Sequence, residues 1–135
     1  MQNRDARRLF LDRHALAELP TGPASGQALH DLIERIGFVQ VDSINTVARA
    51  HEMILWSRRQ SFRPAELKQL LEHDRSLWEH WTHDASILPI RLHGVWQHRF
   101  ARDAVQLEAN WRKWFREGYE AQFDAILNLS LIHIS

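Results

Sequence analysis

A mainly α fold is predicted for this chain, from three observations. Apolar residues recur at helical spacing through most of its length, as at Leu29, Leu32, Ile33 and Ile36. Residues 77–89, rich in aromatics, partly alternate in the manner of a ribbon. The third is composition: 44% apolar with 25% charged residues belongs to a chain that can bury a core. At 135 residues there is room for one ordinary domain, or one small domain and the start of another.

Taken in order, the stretch from about Asp5 to Leu19 sets Leu9, Phe10, Leu16 and Leu19 among charges and predicts an amphipathic helix. Pro20-Thr21-Gly22-Pro23 ends it. A second helix carries Leu29, Leu32, Ile33 and Ile36 and stops at Gly37. Residues 38–41 alternate and form an extended connection. Asp42 or Ser43 then opens a third helix, for which Ile44, Val47, Ala48, His51, Ile54 and Leu55 supply an apolar stripe. Helix, tight connection and helix at this spacing fit a helix-turn-helix. Pro64 suits the first turn of a helix over 65–73 that buries Leu67, Leu70 and Leu71. Residues 77–89 form a strand or hairpin, with a short helix as the alternative. Three helices followed by a ribbon outline a winged helix-turn-helix domain over residues 1–89. Residues 90–128 are again mostly helical, anchored by Val95, Trp96, Phe100, Trp111, Trp114, Phe115, Phe123 and Ile126, and are expected to begin a second, truncated winged-helix unit. The last segment, residues 129–135, matches a translation of a transposon mosaic-end adapter used in shotgun sequencing. It is set aside as non-native, so the natural protein is expected to continue past Asn128.

Charge and cysteine content exclude several classes. Net charge is zero, but arginine clusters at Arg4, Arg7 and Arg8, at Arg58, Arg59 and Arg63, and again late in the chain. Arginine suits bidentate phosphate contacts, although a solvated face salted with acids explains the same clusters. There is no cysteine, which removes disulfides, thiol catalysis and thiolate zinc sites. No secretory signal is visible, and no apolar run approaches the roughly 20 residues of a membrane span. A reduced, cytoplasmic setting is the default.

The chemistry concentrates at Gln40-Val41-Asp42. In an extended segment residues two apart face the same side, so an amide and a carboxylate are presented together while Val41 turns to the core. The carboxylate can stabilise a cation or deprotonate water, and the amide can hold that water. Asp42 also stands where a helix N-cap is wanted, and Asp is a good cap worth about 1 kcal/mol.

The segments Gly37-Phe38-Val39-Gln40-Val41-Asp42-Ser43-Ile44-Asn45, Ala48-Arg49-Ala50-His51, Leu55-Trp56-Ser57-Arg58 and Trp81-Thr82-His83-Asp84-Ala85-Ser86-Ile87-Leu88-Pro89 resemble the YcaQ/AlkZ-like bacterial DNA glycosylases, and the Gln-apolar-Asp form is more similar to the YcaQ branch. The resemblance runs from about Ala6 to Phe100. It implies tandem winged helices with a C-terminal β-barrel, and excision of alkylated bases or unhooking of interstrand crosslinks in duplex DNA. The family's catalytic pair falls on Gln40 and Asp42. By resemblance His51 and His83 support the active site, and Arg49, Arg58 and Arg59 are the expected DNA contacts. No cofactor and no metal is implied. The expected protein is a monomer in the cytoplasm, associated with the nucleoid, and the 135 residues alone are expected to bind DNA weakly and show little activity.

Each of these residues has a plainer explanation. His51 on an apolar stripe reads first as a core histidine, and Trp78, Trp81 and Trp96 as core rather than stacking platforms. His80 and His83 with Glu79 and Asp84 make no recognised metal-ligand set. The rival to an enzyme is a non-catalytic winged-helix DNA-binding or regulatory module, in which Gln40 and Asp42 serve structure only.

Overall fold

The computed structural model describes residues 2–114 together with Gln122 and Ile126, and of 108, 109 and 111–114 the backbone alone. The adapter-like residues 129–135 and the expected anchors Phe115 and Phe123 lie outside the described residues. The chain divides into two compact units, the first ending at His93 and the second beginning at Gly94.

Helix α1 (Asn3–Arg13) is shorter than its apolar pattern predicts, and none of its residues is buried. It stops because Ala15 adopts φ 53°, a left-handed conformation. The N–H of Leu16 then reaches the carbonyl of Leu11 at 2.8 Å and that of Ala15 the carbonyl of Asp12 at 3.0 Å, the paired bonds of a Schellman motif. Alanine in the place of the usual glycine hides this stop from a sequence reading. Leu16 and Leu19 are left outside any helix and exposed.

Helix α2 (Gly26–Ile36) is the core helix, burying Leu29, Leu32 and Ile33. Gly37 ends it at φ 95°, which a side chain rarely adopts. The extended connection that follows is strand β1 (Val39–Gln40), a member of a sheet rather than a mere linker.

The third helix departs most from expectation. Helix α3 spans only Ala50–Trp56, and Ile44 and Val47 are 70% and 87% exposed instead of lining an inward stripe. An Asp42 carboxylate oxygen accepts the Ile44 N–H at 2.8 Å, the contact of an Asx turn or a helix N-cap, but no helix follows it before Ala50. A lone bridge between Asn45 and Arg49 closes the loop, and Glu52 accepts the Arg49 N–H at 3.2 Å as α3 begins.

Helix α4 (Pro64–Lys68) starts on its proline and widens into a π-helical turn over Gln69–His73. Strands β2 (Leu77–Trp81) and β3 (Ala85–Pro89) form the expected hairpin. The antiparallel sheet has the order β1-β3-β2, with Val39 opposite Ile87 and Ile87 opposite Glu79. Leu29, Ile33, Val39, Leu55, Phe62, Leu67, Leu70, Leu77 and Ile87 close one core between this sheet and the helices. The fold is mainly α with a small antiparallel sheet, an order of elements compatible with a winged helix. The closely spaced helix pair is α3 and α4, whereas α2 and α3 are separated by a strand and a loop.

A 3-10 turn (Ile90–Leu92) leads into helix α5 (His93–Trp114), in which Arg99 Nε donates to Asp103 at 3.3 Å. Trp78 donates from Nε1 to the Pro89 carbonyl at 3.2 Å, but Trp81 is 59% exposed and does not belong to the core as expected. Trp81 shares its register row with Ala85 near the hairpin end, beyond the cover of the helices. Among the described residues no helix is long and apolar enough to cross a membrane.

Candidate active site

Strand β1 is held by β3. Gln40 sits opposite Ser86, and the Val41 N–H donates to the Ala85 carbonyl at 2.8 Å. Because side chains alternate, Val39 enters the core at 1% exposure and Gln40 turns to the other face with Ser86 and His80. There Gln40 Nε2 donates to an Asp84 carboxylate oxygen at 3.3 Å.

Asp84 is itself fixed. Its other carboxylate oxygen accepts the Ala85 N–H at 2.8 Å, and its carbonyl accepts the Thr82 N–H and the Ser86 hydroxyl, each at 3.0 Å. A carboxylate can only accept, so the NH2 side of the Gln40 amide must face it. Oε1 of Gln40 is thereby turned away as an acceptor. Asp84 is the member of this arrangement to which sequence reasoning assigned no role. Its place in the block 81–89 and in a turn between two strands does not reveal that the turn folds back onto β1.

The structure brings His83 to the same end of the sheet. The His83 ring meets Phe38 edge-on with centroids 5.9 Å apart, and its Nδ1 lies 3.2 Å from the Thr82 hydroxyl. Asp42 follows the strand, half-exposed, with its carboxylate engaged by the Ile44 N–H. It does not cap α3, whose N-cap is Arg49.

His51 lies elsewhere, against a cavity of about 340 Å³ between α3, α4 and the face of the sheet that carries Val41, Ile87 and Glu79. It is 8% exposed, and its Nδ1 has no hydrogen-bond partner. Burial holds its imidazole below the ordinary value. Glu52 and Glu79 oppose that shift and Arg49 reinforces it.

The three expected DNA contacts separate. The Arg49 side chain is exposed on the loop before α3. Arg58 donates to the carbonyls of His14 and Ile54, both at 2.8 Å, and burial pushes its guanidinium below the ordinary value. Arg59 donates to Glu18 at 3.2 Å and to the Arg58 carbonyl at 2.7 Å. Arg58 and Arg59 therefore tie the end of α1 and the following loop to α3.

Among the described residues one set could gather on a metal ion, His30, Asp31 and Glu34 on α2. Gln27 donates to Asp31 and Arg91 to Glu34, the ordinary contacts of a polar helix face. His80, His83, Glu79 and Asp84 form no such group.

With this geometry in view, the comparison with known families is specific. Residues 33–130 match the model of the AlkZ-like DNA glycosylases, and the chain belongs to that family. No solved structure matches it. The matched span includes β1, the hairpin and all of α3 and α4.

Proposed function

We propose that the protein is a monofunctional DNA glycosylase with a winged-helix catalytic domain, hydrolysing the N-glycosidic bond of alkylated or interstrand-crosslinked purines of the N7-alkylguanine type in duplex DNA. The observation that carries this reading is the orientation of Gln40 by Asp84 immediately before Asp42. An N7-alkylated purine is cationic, so its bond to the sugar breaks with the electron pair neutralising the ring, and no strong general acid is required. The sugar left behind resembles an oxocarbenium ion. The Asp42 carboxylate stabilises that charge and takes the proton of the attacking water. Gln40 Oε1 accepts a hydrogen bond from the same water and aims its oxygen at the sugar carbon. His83 supports the wall of this site, and Arg49 meets a phosphate. Arg58 and Arg59 assist from within the fold by holding α3.

The test is release of N7-methylguanine from a duplex by the longest product its gene encodes. Asp42→Asn is expected to slow release about 10²–10³-fold while leaving DNA binding and melting temperature intact. Unchanged release by that variant would remove Asp42 from the mechanism. No release by the unaltered protein, with binding retained, would favour the non-catalytic DNA-binding module instead.

A further inference from the structure

The cavity beside His51 is not used by the chemistry at Gln40. Three observations about it converge. First, His51 is 8% exposed and its buried Nδ1 has no hydrogen-bond partner among the described residues, so that ring atom can still take one from a ligand. Second, Val41, Leu67, Leu71 and Ile87 give the cavity an apolar floor. Its volume of about 340 Å³ falls in the range of small-molecule sites. Third, its charged rim sorts itself into spoken-for and unclaimed groups. Lys68 pairs with Glu72 at 3.6 Å, and Glu52 accepts the Arg49 N–H. The carboxylate of Glu79 and the guanidinium of Arg49 enter no salt bridge among the described residues, and both face His51 closely enough to act on its charge.

A ligand that satisfies all of this is flat, carries polar edge atoms for His51, is positively charged toward Glu79 and is attached to an anion toward Arg49. We propose that this cavity receives the extruded cationic base of an N-alkylated nucleotide, with Glu79 selecting the charged ring over a neutral one. The inference rests on the glycosylase reading. It adds a site on the sheet face opposite Gln40. Strand β1 is at the sheet edge, and Val41, the residue that follows it, lines the cavity between Gln40 and Asp42 in the chain. A base lying against Val41 and Ile87 leaves its sugar at that open edge, beside the start of the Asp42 turn. An enzyme that acts on a base must take it out of the stack and hold it in such a pocket.

The experiment titrates the 135-residue chain with 7-methylguanosine, whose ring is cationic, and with guanosine, following methyl and imidazole NMR signals. Signals of Leu67, Leu71, Ile87 and His51 should move with 7-methylguanosine. Guanosine should bind about tenfold more weakly, the scale of one charge-assisted contact. Glu79→Gln, an exposed and isosteric change, should erase that preference. Equal binding of the two nucleosides, or a preference that survives in Glu79→Gln, overturns the assignment. Release of 7-methylguanine from duplex DNA is measured alongside. Release without a cation preference removes the pocket and leaves the glycosylase standing. A cation preference without release keeps the pocket and removes the hydrolysis.

Discussion

Asp84 changes what Gln40 can do. An isolated strand glutamine can present either end of its amide, and the carboxylate at 3.3 Å removes that freedom. If the amide aims a water, Asp84→Asn should lower the single-turnover excision rate about tenfold without changing DNA affinity, while Asp42→Asn, which removes the charge proposed to face the sugar, should cost about 10²–10³. Equal losses in the two variants would contradict the division of labour. His51 makes a separate prediction. Its folded value lies below the 6.5 of a free imidazole, chiefly through desolvation. As pH falls below that value the unfolded chain takes up the proton first, so stability present above it is lost progressively in acid. Urea midpoints measured between pH 7 and 5 should fall, and His51→Phe should flatten the slope. Neither His51's isolation nor the tie from Asp84 to Gln40 could be read from the sequence, because each depends on residues far apart in the chain.

At the level of the elements, the helices announced by strong periodicity were legible and those ended by local bonding were not. Leu29, Leu32 and Ile33 share one buried face of α2, and Gly37 marks its end in the sequence itself. The stripe from Ile44 to Leu55 is equally periodic, yet only its second half is helical, from Ala50, and Ile44 and Val47 stay exposed. Stability measurements separate the two halves of that stripe. Val47→Ser should stay within about 0.5 kcal/mol of the unaltered chain, and Leu55→Ala should lose about 2–5 kcal/mol. Ala15 ends α1 at φ 53° with its methyl in the core, so a β-branched Ala15→Val should destabilise by about 1–3 kcal/mol, as seen in a thermal melt. The loop after α1 is fixed by Glu18, which Arg59 and Arg35 hold below the usual carboxylate value. That stability is present at neutral pH and is lost as acid protonates Glu18. Solvent screening limits it to about 1 kcal/mol at most.

For the whole molecule, zero formal net charge and the internal engagement of Arg58 and Arg59 limit the electrostatic grip on a duplex. If Arg49 is the main phosphate contact of the first unit, the logarithm of the binding constant should fall against log salt with a slope of about −1 for that contact, and Arg49→Ala should remove it. A steep slope that survives Arg49→Ala would place the grip elsewhere. The order of helices and hairpin was visible in sequence because each is a local pattern. The sheet was only half visible, since residues 77–89 showed their alternation while β1, at Val39–Gln40, was too short to announce a partner.

That shortness has a kinetic consequence. The β2–β3 hairpin closes over a few residues, whereas the Gln40–Asp84 bond spans a sequence separation of 44 and must wait for loop closure across α3 and α4. The edge that carries Gln40 is then assembled after the hairpin it leans on. The amide proton of Val41, bonded to the Ala85 carbonyl at 2.8 Å, becomes a single-atom clock for that assembly. Its exchange with deuterium reports how often the edge strand lifts away from β3, and so how often the tie between Asp84 and Gln40 is free to part.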